Sequence, residues 1–458
     1  MRGGTYDIPP LYLITAIMSY IISKYVYQFI SSKGCPLVYC SRSNSFLELN
    51  MDLYNFMLKC KEDPNLLDEL DDKLIELFIS NKIMVKPDED NDFLLEHHFT
   101  TDLISYSNRR LGLVVAPTIG CNFDCPYCFE PGKKSYTMTE EIIDDLILFI
   151  KKHKEANLLD LVWYGGEPLL AFKKIQTILR RIRDEVPIKL GNHDIITNGY
   201  YFTPQVIEFF KEFPLDTIQI TFDGGRERHN NLRKQKKTGE PTYDHIIENI
   251  DRIVDELPGT QIHLRINIEK SNVNDFIEGK EFFEKRWKNK DLIVYPGILR
   301  IDNEDGTAIA CSAMNKWESA NFLYDINEKG VFKTDIYPKI RLAKNCCATR
   351  LNSYIVGPRG EIYKCWNDVS DDNKIVGYIN QEKLTNPKLL YRYLVGSKWY
   401  ANSECKECFF LPICNGNCAW YALKNIYDKG EYIICDCMQK SPEMLNKSLE
   451  YQYDMIHK

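Results

Sequence analysis

Between Leu111 and Leu299, six β-prone runs alternate with helical ones, and this alternation constrains the fold more than any other feature. The runs are "LGLVVAPT", "LDLVWYGG", "HDIITNG", "DTIQITFDG", "IHLRINIEKS" and "DLIVYPGIL", with helical stretches opening at Met138, Leu169, Pro204, Tyr243 and Asn274. Strands separated by helices cannot close hairpins; they pair in parallel, with the crossover helices outside. The pattern predicts an α/β chain built on a partial (β/α)6 barrel over residues 108–310. Its reactive loops should follow the C-terminal ends of the strands.

The flanks read differently. From Tyr25, "YVYQFI", "PLVYC" and "SFLELN" form three short β-prone runs, followed by helical stretches at Met51–Lys61 and Pro64–Asn81 and by "IMV" at Ile83–Val85. This predicts a small winged-helix-like domain over residues 1–90, joined to the barrel by an acidic linker at Asp88–Asp92. "LYLITAIMSYIIS" at Leu11–Ser23 is the one membrane-like stretch. It is shorter than the roughly 20 residues that span a bilayer, so a membrane role is not expected. It reads as a buried or interfacial helix, or as text preceding a true start at Met18. Beyond residue 345 the text turns irregular, rich in Cys, Gly and Asn, and a closing helix starts at Pro442.

A chain of 458 residues is long enough for two to four domains. Its 65 acidic and 58 basic residues leave a net charge of −7, which gives no footing for a nucleic-acid partner. Cysteine is the informative count. Of 16 cysteines, 12 fall within 121–128 and 346–437. Short regular spacings without a secretory context read as metal or cluster ligands in a reducing compartment, and the expected location is cytoplasmic.

"CNFDCPYCFE" places Cys121, Cys125 and Cys128 after the first strand of the barrel. Three thiolates are one short of a closed zinc or iron-sulfur site, and leave a coordination position open. This spacing in this position resembles the radical S-adenosylmethionine superfamily. The resemblance implies that the three cysteines hold a four-iron, four-sulfur cluster whose fourth iron binds the cofactor. "WYGGEP" after the second strand resembles the family's motif for the methionine amino group, making Gly165, Gly166 and Glu167 cofactor candidates. "TNG", "TFDGG" and "HNNLRK" resemble its ribose and carboxylate segments, which points to Asn198, Thr221 and Arg233. Read without the resemblance, these are turn formers, and the cysteines are a zinc knuckle.

A second group is denser. Twelve residues separate Cys347 from Gly360 and four more precede Cys365; Cys405, Cys408, Cys414 and Cys418 follow at separations of two, five and three. With a last cysteine at 435 or 437, this resembles the SPASM extension of radical enzymes over residues 340–445. The resemblance implies two auxiliary four-iron clusters: an outer one on Cys405, Cys408, Cys414 and Cys437, and an inner one on Cys347, Cys365 and Cys418. Cys346 and Cys435 leave two ligand choices open. Neighbouring side chains of an extended segment point to opposite sides, so Cys346 is expected to face away and leave the inner cluster an iron for a substrate thiolate.

The family implies release of a 5′-deoxyadenosyl radical, with electrons from reduced flavodoxin or ferredoxin. Two catalytic readings compete. One is a maturase that joins cysteine sulfur to carbon in a ribosomally made precursor peptide, whose leader the N-terminal domain would bind; the other is a sulfatase-type maturase that oxidises Cys or Ser to formylglycine. A non-catalytic iron-sulfur or zinc scaffold is the reading of another class, and the glycine motifs at successive strand ends argue against it.

Overall fold

In the computed structural model the described residues are 20–128, 135–299, 314, 316–332, 346–416, 418–430, 432, 435 and 441–457. The centre is one nine-stranded sheet. Six of its strands are β6 (Arg110–Thr118), β7 (Leu158–Gly165), β8 (Lys189–Thr197), β9 (Thr217–Phe222), β10 (Gln261–Ile268) and β11 (Leu292–Ile298), parallel neighbours in chain order. The sequence pattern forces this. In β9, Ile218, Ile220 and Phe222 are buried against the helices, which leaves Gln219 and Thr221 on the opposite, interior face. The crossover helix Phe172–Glu185 buries Ile175, Ile178, Leu179 and Ile182, a single stripe at helical spacing.

Beyond β6 the sheet continues into the cysteine-rich region. β12 (Ser353–Val356) pairs in parallel with β6, and β13 (Glu361–Tyr363) and β14 (Gly377–Tyr378) follow antiparallel. Cys347, six residues before β12, and Trp366, three after β13, therefore pack on the interior face of β6 and β7 with Val114, Ala116 and Tyr164.

The N-terminal region forms a three-stranded antiparallel sheet of β2 (Val26–Ile30), β3 (Pro36–Cys40) and β4 (Ser45–Glu48), with β3 in the middle. A two-residue ribbon pairs β1 (Ile21–Ile22) with β5 (Met84–Val85). The described end of the apolar stretch is thus strand, not helix; residues 1–19, including Met18, lie outside the described residues. The stretch Pro64–Asn81 divides at Leu70 and Asp71 into a 3-10 turn and the helix Asp72–Ser80, which Asp71 caps. The acidic segment is not a linker. It is the first turn of the helix Glu89–Ser105, where Glu89, Asp90 and Asp92 meet the positive end of the helix dipole. Among the described residues no helix is long and apolar enough to cross a membrane.

Candidate active site

The loop carrying Cys121, Cys125 and Cys128 leaves the C-terminal end of β6 and is clamped from two sides. On one side it forms a short antiparallel contact with the chain after Arg233: Phe123 bridges Gln235, and Lys236 N donates to Asn122 O at 2.7 Å. On the other side it crosses the paired glycines. A Cβ on Gly165, whose φ is +128°, would lie 2.2 Å from Thr118 O; one on Gly166 would lie 2.3 Å from Ile119 O and 2.4 Å from Gly120 O. The close approach those glycines permit is to the cysteine loop's own backbone.

Glu167 is fully buried behind them. Its carboxylate accepts from Leu169 N at 3.0 Å, Thr197 Oγ1 at 2.8 Å and Asn198 N at 2.7 Å. Burial still outweighs those bonds and pushes its pKa up to about 7. Asn198 Nδ2 donates to Asn122 Oδ1 at 2.8 Å, so the end of β8 also holds the cysteine loop.

Arg233, 8% exposed, lies over the Phe123 ring and donates to Tyr127 Oη at 3.1 Å. The Tyr127 hydroxyl in turn donates to the Asp223 carboxylate, 3.7 Å from the guanidinium. The tyrosine between Cys125 and Cys128 is thereby fixed by an ion pair from the fourth strand, a link that no local sequence signal carries. Thr221 occupies the interior face of β9, in register with Arg265 of β10. The structure thus brings Glu167, Asn198 and Arg233 around the cysteine loop, with Gly165 and Gly166 beneath it and Thr221 on the interior wall.

This setting fits a cluster with an acceptor-rich ligand. Burial drives the Cys121 thiol up to about 12 and raises that of Cys125, so both give up protons only to a strong electrophile such as iron. Two buried donors there, Asn122 Nδ2 and Arg233 Nε, have no hydrogen-bond partner. Among the described residues, no three Cys, His, Asp or Glu side chains converge as single-ion ligands. Zinc needs such convergence, whereas a cubane binds each cysteine at a different iron corner and so holds them farther apart.

The second cysteine group falls into two neighbourhoods. Cys365 feels Cys346 and Cys418, and Cys347 feels Cys346 and Cys365. Cys405 feels Cys408, Cys414 and Cys435. Of the two late cysteines, Cys435 is within electrostatic reach of Cys405; Cys437, the expected outer ligand, lies outside the described residues. Cys346 is expected from the sequence to face away from Cys347; a 3-10 turn begins at Cys347, and the Cys346 thiol is near enough to raise the pKa of Cys347, whose own Sγ donates to Lys364 O at 3.5 Å. Lys364 is wholly buried beside them, its ammonium donating to the Arg350 and Ser353 carbonyls, and burial pulls it down to about 8. Trp366, next to Cys365, meets Tyr164 of β7 edge to face with centroids 4.0 Å apart, so the inner group adjoins the barrel interior.

Comparison with known proteins agrees with this architecture. Residues 115–278 match the model of the Radical SAM superfamily. The serine-type anaerobic sulfatase-maturating enzyme of Bacteroides thetaiotaomicron is 23% identical over 344 residues, 65% of this chain and 80% of that protein. The radical SAM cyclopropyl synthase TigE of Paramaledivibacter caminithermalis is also 23% identical, over 46% of this chain and half of its own length. Among solved structures, anSMEcpe with bound AdoMet superposes with a TM-score of 0.56 at 18% identity, covering 76% of this chain and 94% of that one. Streptococcus suis SuiB bound to S-adenosylmethionine gives 0.50 at 16%, covering 87% and 95%. With its three-cysteine loop at the head of a parallel barrel, this chain carries a Radical SAM domain over residues 115–278 and is an enzyme whose cofactors are S-adenosylmethionine and iron-sulfur clusters.

Proposed function

We propose that this enzyme is a maturase of a ribosomally made precursor peptide and joins cysteine sulfur to carbon. The observation that carries the reading is the N-terminal sheet, whose β4 pairs, among the described residues, on one side only, with β3. An extended leader can add a strand to that edge, with main-chain hydrogen bonds supplying affinity. The match to anSMEcpe uses 94% of that protein but 76% of this chain, whereas the match to SuiB reaches 87%. The surplus over a sulfatase maturase is about the size of this N-terminal unit.

When bound, the cofactor supplies a 5′-deoxyadenosyl radical that takes one hydrogen atom from carbon. The chain's own residues orient and enclose. Glu167, Asn198 and Arg233 hold the cysteine loop in place, and Tyr164 with Trp366 walls the interior between that loop and the inner cysteines. Cys405, Cys408, Cys414 and Cys435 would hold the outer auxiliary cluster, and Cys346, Cys347, Cys365 and Cys418 the inner one. Reduced flavodoxin or ferredoxin would supply electrons.

The test is coexpression with short cysteine-containing reading frames adjoining the gene, followed by mass spectrometry. A product short of two hydrogens per cross-link, with its cysteine closed to alkylation, supports thioether formation. A carbonyl-reactive product would instead give the sulfatase-type reading, which the similarity to the Bacteroides enzyme favours.

A further inference from the structure

The segment holding Cys405, Cys408 and Cys414 has little structure of its own. Between Trp399 and Cys414 it makes only helical pieces of three or four residues. Such a stretch needs a staple or a neighbour to stay folded. Its neighbour is the N-terminal sheet, which it grips on both faces. On one face Trp399 and Leu411 are buried in a cluster with Tyr25, Val38, Met57 and Phe78, against which Cys405 also packs. On the other, Phe409 and Phe410 pack against Phe29, Leu37 and Tyr39. Polar contacts close the rim: Ser41 Oγ donates to Phe409 O at 2.6 Å, and Lys24 Nζ reaches Lys406 O and Glu407 Oε2, each at 3.1 Å.

We infer that the outer cysteine segment is a core element of the N-terminal domain, so that assembly of the cluster on Cys405, Cys408, Cys414 and Cys435 orders that domain. The argument is one of shared core. Leu411 and Trp399 can fill the β2–β3 side only if their backbone is fixed, and Cys408 and Cys414 lie on either side of the turn that carries Phe409 and Phe410. Removing the staple frees the segment, withdraws apolar contacts from both faces of a sheet of three short strands, and lowers its local stability. On the reading of this domain as a leader-binding unit, the consequence is that a chain lacking its outer cluster does not engage peptide, and an incompletely loaded enzyme is kept from its substrate.

The test uses the full chain, reconstituted anaerobically, with and without Cys405→Ser together with Cys408→Ser. Iron should fall by about four per chain while the other clusters remain. Amide exchange in residues 26–30, 36–40 and 45–48 should quicken by about tenfold or more, with 110–118 and 217–222 unchanged. Unaltered exchange in the N-terminal strands, or an equal rise in the barrel, overturns the inference. A second pair of substitutions leaves every cysteine in place. Ser41→Ala with Lys24→Gln should hasten chelator-driven loss of the same four irons by about threefold, since coupling is reciprocal; release at the parent rate counts against it. Neither measurement involves a peptide. Leader binding can therefore fail while this coupling stands, and the coupling can fail while a leader still binds.

Discussion

The carboxylate of Glu167 accepts the backbone N–H of Asn198 at 2.7 Å and so ties the end of β7 to the loop after β8. Both of its oxygens are committed to donors, three in all. Glu167→Gln replaces one acceptor with an amide NH2 that must face another donor. The substitution should cost about 1–3 kcal/mol despite its near-identical shape. Thermal unfolding of the protein without added cofactor measures it, and a melting temperature equal to the parent's would refute the assignment. Formation of 5′-deoxyadenosine should fall as well, because Asn198 also holds Asn122 of the cysteine loop.

Gly165→Ala should be worse. Its φ of +128° is closed to an L side chain at little cost, and the new Cβ would sit 2.2 Å from a backbone oxygen, which cannot rotate away. The expected loss is about 3 kcal/mol or more, with the cysteine loop displaced and its cluster labile. Gly34, also at positive φ but with nothing within 4 Å of its Cβ, is the control: there alanine meets the conformational cost alone. Urea midpoints of the two variants separate the contributions.

A pH dependence follows from His193 in the barrel core. It accepts from Trp163 Nε1 at 2.8 Å through Nε2 and, through Nδ1, donates to Pro214 O at 2.8 Å; both nitrogens are used by the neutral ring. Burial pulls its pKa down to about 4 from the ordinary 6.5. The unfolded chain therefore binds a proton that the folded one refuses, and stability is lost as pH falls from about 6.5 towards 4. The slope approaches 1.4 kcal/mol per pH unit, about 3 kcal/mol in total. Denaturant midpoints at pH 7 and pH 5 should show the loss. In His193→Gln, which cannot gain that proton, the difference between the two pH values should shrink.

The barrel was legible because its strands alternate and its helices carry one apolar stripe, as Ile218, Ile220 and Phe222 of β9 illustrate. The helix Glu89–Ser105 was not, and the reason is physical. It buries Asp90, His97 and Thr101 and exposes Leu95, Phe99 and Leu103, an inversion of the pattern that marks a helix in a sequence. Asp90 is buried because Ser23 and Lys24 donate to it and Arg42 pairs with it, partners far away in the chain. The cysteine motifs stand out in the sequence by their spacing, but which late cysteine lies near the outer group depends on a fold with little periodicity. The clamp of Gln235 and Lys236 on the cysteine loop is likewise a backbone contact, which side-chain identity does not encode.

The nearness of Cys346 to Cys347 bears on how the inner cluster is completed. With a 3-10 turn beginning at Cys347, Cys346 and Cys347 both lie within electrostatic reach of Cys365, and Cys365 within reach of Cys418. Among the described residues, Cys408, Cys414 and Cys435 lie within electrostatic reach of Cys405. Anaerobic reconstitution should give about twelve irons per chain, four for each cluster. Cys346→Ala should lower that to about eight and leave the spectrum of the outer cluster intact; Cys435→Ser should do the same for the outer cluster and spare the inner. If Cys346→Ala keeps all twelve irons, Cys346 is not a ligand. The inner cluster then has an iron free, and titrating the parent with a cysteine-containing precursor should shift that cluster's spectrum, whereas a Cys-to-Ser precursor should leave it unchanged.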